Sequence, residues 1–224
     1  NNKKLNIIDC PGSDDFCGGA ITALHVSDTA IITLTANGGV EVGTQNNFRR
    51  AEKAKKPIAF VINKCDHENA DFERTFNELK EVFGNKCTLF QYPINAGKDF
   101  NAAIDVLQGK MLVWKAEGGA PEAKDIPESE KATVEEIRAQ LLEWAAESDE
   151  TIMDKYFEQG TLSDDELMRG LQTVFAEGSM YPVICTSGLK DMGIRRLMGF
   201  LGEMTPSVAD APKPLTVNAE EVAP

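Results

Sequence analysis

The sequence predicts an α/β domain: a parallel sheet covered by helices on both faces, with an α+β segment inserted before its last strand. Three observations predict it. Four short apolar runs, Leu5–Asp9, Ala30–Thr35, Ile58–Asn63 and Pro182–Thr186, alternate with stretches of helical character at 15–26, 43–55, 69–83 and 192–203. Strands that alternate with helices pair in parallel. Three of the runs empty into loops of polar or small residues, the place where open α/β sheets bind ligands. The rhythm breaks only between the third and fourth runs, over about residues 88–178.

The first run, Leu5-Asn6-Ile7-Ile8, leads into Asp9-Cys10-Pro11-Gly12. An Asp at such a strand end can hold Mg²⁺ through water, and a Gly lets its N–H approach a γ-phosphate closely. Asp-x-x-Gly by itself is usually just a turn. Its weight comes from order, because it precedes Asn63-Lys64-Cys65-Asp66 by 54 residues with one strand–helix unit between them. In that second motif Asp66 can accept two N–H bonds from a guanine edge, which adenine cannot supply. Asn63 can tie neighbouring loops together, and the Lys64 stem can lie flat on the ring. The bland alternative is a polar loop after a strand. The fourth run, Val183-Ile184-Cys185-Thr186, empties into Ser187-Gly188-Leu189-Lys190. That turn either offers backbone N–H groups to the guanine oxygen or is an ordinary strand–turn–helix.

Within the insertion, residues 88–94, 99–107 and 109–115 read as a small β element punctuated by Gly97 and Gly109. An acidic connection containing Gly and Pro follows over 117–127, then helices. Val134, Ile137, Leu141 and Ala145 form one apolar stripe. Ser163-Asp164-Asp165-Glu166 is a capping box, opening a helix with Leu167, Leu171, Val174 and Phe175 on one side. Trp144, Tyr156 and Phe157 are expected in the core. Beyond Thr205-Pro206 the chain turns rich in Pro, Ala and Val and reads as a linker over 206–224.

Composition narrows the classes. The 224 residues, 42% hydrophobic, suffice for one sizeable core or a domain with a substantial insertion. No apolar run approaches the roughly 18 residues of a membrane span. Cys10, Cys17, Cys65, Cys87 and Cys185 show no Cys-x-x-Cys spacing and read as reduced thiols. His25 and His67, the only histidines, do not make a metal site. Net charge is −13, and Pro127–Gly170 carries 13 Asp/Glu against 4 Lys/Arg, a net −9. Broad phosphate binding to a nucleic acid needs a basic surface, so it is disfavoured. The acidic face serves either a basic protein partner or solvation.

These motifs in this order resemble the G domain of bacterial elongation factor G, from about Lys3 to Ser207. The match includes Gly38-Gly39-Val40-Glu41 and the Thr205-Pro206-Ser207 exit. The resemblance implies a P-loop-NTPase-type G domain with core segments at 1–87 and 179–205 and an inserted G′ subdomain at 88–178. It implies a cytoplasmic translation factor that binds GTP/GDP and Mg²⁺. Nucleotide would be held by Asp9, Cys10, Pro11, Gly12, Ser13, Asn63, Lys64, Cys65, Asp66, Ser187, Gly188 and Leu189, and Mg²⁺ by Asp9 through water. The partners implied are the ribosome, through large-subunit RNA and stalk proteins, with no membrane and no sequence-specific nucleic acid. No Gly-x-x-x-x-Gly-Lys-Ser/Thr loop occurs in the sequence, so the chain reads as a fragment lacking its P-loop part. The strand of that loop would lie between Leu5–Asp9 and Ala30–Thr35, leaving two unpaired edges or a rearrangement.

One departure bears on chemistry. Where the family has a catalytic His the chain has Ser13, followed by Asp14. A Ser is too short to orient the attacking water as that His does, and Asp14 is expected to add negative charge where phosphate charge builds up. The expectations are therefore a ribosomal translocation GTPase, a non-hydrolysing ribosome-binding paralogue, or a tetracycline-resistance-type protection GTPase.

Overall fold

A computed structural model describes residues 3–207; the expected linker beyond Ser207 lies outside them. The sheet consists of β1 (Ala30–Thr35), β2 (Ile58–Asn63), β3 (Cys87–Leu89) and a late strand, β8 (Tyr181–Cys185). Their order is β1-β2-β8-β3, all parallel. Central strands β2 and β8 are buried on both faces, as their unbroken apolar runs require. Edge strand β1 alternates, with Ile32 and Leu34 buried while Ile31 and Thr33 are exposed.

Helices flank both faces. On one side α2 (Val42–Lys53) and α3 (Phe72–Phe83) bring Phe48 and Phe83 against Phe60 and Tyr181, with ring centroids 4.3–6.3 Å apart. On the other, α7 (Ile194–Met204) sets Phe200 against Phe90 and Phe175. Helix starts follow local chemistry: the Asp71 carboxylate accepts from the Arg74 N–H at 2.9 Å to open α3. A first helix, α1 (Cys17–Val26), buries none of its residues.

The insertion is a second, antiparallel sheet in the order β4-β5-β6-β7 (Gln91–Pro93, Ala102–Asp105, Lys110–Val113, Glu122–Lys124), followed by α4 (Glu128–Ala146), α5 (Glu150–Gln159) and α6 (Asp164–Ala176). The expected stripe on α4 is real: Val134, Leu141 and Ala145 are buried and Ile137 packs against the core. The capping box at Ser163 and Glu166 is present. Buried Asp105 pairs with the Arg196 Nε of α7 and accepts from the Gln108 N–H at 2.9 Å, fastening the insertion to the core. Burial works against the Arg196 charge, but the Asp105 and Glu203 carboxylates outweigh it and hold the guanidinium protonated.

Four expectations need correction. Leu5–Asp9 forms no strand; Ile7 and Ile8 are 69% and 53% exposed. A strand exists only through its neighbours' hydrogen bonds, and this run pairs with none of the described strands. Thr88 and Leu89 join the parallel sheet beside β8 rather than the inserted β element. The connection at 117–127 contains β7, paired with β6. Phe157 is 78% exposed, whereas Trp144 and Tyr156 pack against the core.

Candidate functional site

Strands β2 and β8 end side by side, with Ile62 opposite Cys185, and their two loops are fused beyond that point. The Asn63 Oδ1 accepts from the Gly188 N–H at 3.0 Å and the Thr186 hydroxyl at 3.2 Å. The Cys65 N–H donates to the Thr186 carbonyl at 3.1 Å. Lys64, at φ 59°, adopts the left-handed conformation that bends the chain outward, and its side chain is exposed. Asp66 is half-buried and its carboxylate is unpaired among the described residues. The His67 Nδ1 accepts from the Asn69 N–H at 3.1 Å, closing the turn.

Other members of the predicted set support the loops from below. Cys65 is fully buried and its thiol points to the Ile62 carbonyl at 3.4 Å. Burial first, and contact with Cys65 second, push the Cys185 thiol pKa well up. Ser187 is also fully buried: its N–H donates to the Met192 carbonyl at 2.9 Å and its hydroxyl accepts from the Lys190 N–H at 3.2 Å. With Gly188 held by Asn63, the Leu189 N–H is the amide of this turn without a partner among the described residues, and its side chain is 92% exposed. An added methyl at Gly188 would sit 3.7 Å from the Asn63 amide, an ordinary contact.

Asp9–Ser13 is attached elsewhere, to α2. The Gly12 carbonyl lies against Gly43 in its first turn, 3.5 Å from a Cβ built there. The Ser13 carbonyl accepts from the Phe16 N–H at 3.0 Å, opening a 3₁₀ turn over Asp14–Phe16, and the Ser13 side chain makes no cap bond. Asp14 accepts from Arg50 at 2.9 Å and Asn46 at 2.8 Å. Those bonds, Arg50's first, hold its carboxyl below the usual carboxylate range. The negative charge expected of Asp14 is present, and Arg50 of α2 pairs with it at 2.9 Å.

Asp9, Pro11, Gly12 and Ser13 are exposed and Cys10 half-buried. Asp9 has no ion-pair or hydrogen-bond partner among the described residues. One free carboxylate suits the water shell of a Mg²⁺ whose other ligands come with phosphates. No cluster of three ligating side chains exists among the described residues to hold the ion unaided.

Residues 1–207 match the elongation factor Tu GTP-binding domain family. The chain belongs to that family. An "Elongation factor G-like protein" from Thermotoga maritima is 35% identical over 210 residues, 94% of this chain. A crystal structure from Thermus thermophilus superposes on 89% of the chain with a TM-score of 0.80 at 28% identity. The chain spans about 30% of the length of each. Its parallel sheet with helices on both faces is accordingly the G-domain fold of this translational GTPase family.

Sequence reasoning missed several residues around this G-domain corner. Thr186 bridges the two loops through both its carbonyl and its hydroxyl. The Gly97 N–H, from the insertion, donates to the Cys65 carbonyl at 2.8 Å. The Glu78 carboxylate accepts from the Val40 N–H at 2.9 Å and Arg74 donates to the Asn37 carbonyl at 3.0 Å, so α3 holds the Gly38–Glu41 loop. Thr186, Gly97 and the Gly38–Glu41 loop stood in stretches the sequence singled out but carried no sign of these contacts, and Arg74 and Glu78 read as ordinary charged helix residues.

Proposed function

We propose that the chain is the guanine-nucleotide-binding part of an elongation-factor-G-type ribosomal factor. The observation that carries this reading is the Asn63 junction, which leaves the Asp66 carboxylate and the Leu189 N–H free beside each other's loops. A carboxylate accepts from the two N–H groups of a guanine edge while an N–H donates to its carbonyl oxygen. Adenine presents neither pattern. Lys64 lies alongside as the ring-covering stem, with Cys65, Ser187 and Gly188 as the frame. Asp9, Cys10, Pro11, Gly12 and Ser13 form the phosphate side, where Asp9 meets Mg²⁺ through water. Residues from about 91 to 178 are the inserted subdomain of this reading.

The parent protein uses GTP in cytoplasmic protein synthesis, docking on the ribosome to move tRNA and mRNA. The acidic insertion meets the basic surfaces of ribosomal proteins there. No helix among the described residues is long and apolar enough to cross a membrane. Titration of the full-length protein with GDP and ADP tests the reading; equal affinity for the two overturns it.

A second reading, a ribosome-binding factor that hydrolyses GTP slowly, is favoured by Ser13. Hydrolysis needs water aligned on the γ-phosphorus as the β–γ bridging bond breaks. The short Ser13 hydroxyl is exposed and uncommitted but lacks an imidazole's reach and charge. Ribosome-stimulated hydrolysis by the parent protein and its Ser13→His variant separates the two readings. Slow hydrolysis restored by the substitution supports the second, and a rate like that of ordinary elongation factor G in the parent overturns it.

A further inference from the structure

We infer that two turns of the insertion, Gly97–Lys98 and Gly118–Gly119, position the two base-reading loops, one turn for each. The inference rests on the guanine-site reading above and names residues outside it.

The Asp66 loop is held first. The Gly97 N–H donates to the Cys65 carbonyl at 2.8 Å, one residue before Asp66. Lys98 pairs with Glu68 at 2.8 Å, two residues after it. Gly97 sits at φ 116°, a conformation that side-chain-bearing residues rarely adopt. The Leu189 loop is held by the other turn. The Gly119 N–H donates to the Asp191 carbonyl at 3.0 Å. Gly118, at φ 73°, lies so close beneath the loop that a Cβ there would sit 1.8 Å from the Lys190 carbonyl oxygen. The Lys190 ammonium reaches across to the Lys98 carbonyl at 2.8 Å, joining the two supports.

These contacts bear on carbonyls within two residues of the reading groups, and on the Glu68 carboxylate, rather than on the groups themselves. They set where Asp66 and the Leu189 N–H stand without touching the nucleotide, so these four are positioning residues. A methyl at Gly118 must push the Lys190 peptide away by more than an ångström, and the Leu189 N–H moves with it. A methyl at Gly97 meets no neighbour, but its backbone strain shifts the bond to Cys65 and with it Asp66.

The two turns therefore give different signatures with GDP and with IDP, which lacks only the 2-amino group that Asp66 reads. In the full-length protein, Gly118→Ala weakens GDP and IDP alike, by about tenfold, the size of a typical coupling between sites. Gly97→Ala weakens GDP more than IDP, narrowing the preference between them. Wild-type affinities in both folded variants, or the same loss pattern from each, overturn the inference. Should the unsubstituted protein bind no guanine nucleotide, the guanine reading fails by itself. The support is then read by amide exchange. Faster exchange at Met192 in Gly118→Ala and at Cys65 in Gly97→Ala sustains it, and unchanged exchange overturns it.

Discussion

At the Asn63–Ser187 corner both loops are anchored from several directions, whereas Asp9–Ser13, proposed for the same site, is exposed except at Cys10 and, among the described residues, lies against α2. Asn63, Cys65, Thr186 and Gly188 lie over two central strands and share hydrogen bonds across them. The other segment follows a run that joins no sheet, and Ile7 and Ile8 face solvent. The contrast teaches that the base side of the proposed site can be prepared by the sheet itself, because both of its loops spring from neighbouring buried strands. The proposed phosphate side has no such platform among the described residues.

Breaking the anchored side should cost most. Asp105→Ala leaves the Arg196 guanidinium, itself 11% exposed, with only the more exposed Glu203 carboxylate at 3.0 Å, and urea unfolding should show a loss of about 3 kcal/mol, the low end for a broken buried pair. Asn63→Ala removes the acceptor shared by Gly188 and Thr186. It should cost about 1–3 kcal/mol by the same measurement, and it should abolish the preference for GDP over ADP.

A smaller effect should appear in acid. Lys155 first, and Ser163 second, lower the Glu166 pKa from 4.5 to about 2. A carboxylate held below its unfolded value stabilises the fold above that value and stops doing so as pH falls through the folded one. The amides at the start of α6 should therefore lose protection between about pH 4.5 and 2, and Glu166→Gln should remove that dependence. On the unanchored side Ile7→Ser should change stability by less than about 0.5 kcal/mol, as for an exposed position. A larger loss would mean that Ile7, like its neighbour Leu5, is packed against the core.

Legibility followed the same divide. The three paired runs, the helices between them, the capping box at Ser163 and the tie made by Asn63 were readable, because each depends on local pattern or on short strand-end geometry. Leu5–Asp9 was misread, since an apolar run predicts a strand whether or not a neighbour exists to pair with it. Phe157 was misread because aromatic composition does not reveal which helix face is covered. The Arg50 partner of Asp14 was not legible, because nothing in the chain order announces a residue 36 positions away.

The sequence by itself determined the fold class, the family and the residue types at the rim, since periodicity and motif order are properties of neighbouring residues. Only the tertiary structure decided which reading groups stay free and which are spent on the frame. Asp66 and the Leu189 N–H are left open, while Cys65, Ser187 and the Gly188 N–H are consumed internally. Ser187 is spent within its own turn, but the Gly188 N–H and the Cys65 N–H are spent on bonds between segments more than a hundred residues apart, with two turns of the insertion against the same loops. Such contacts arise from how layers stack, and no stretch of the chain encodes them alone.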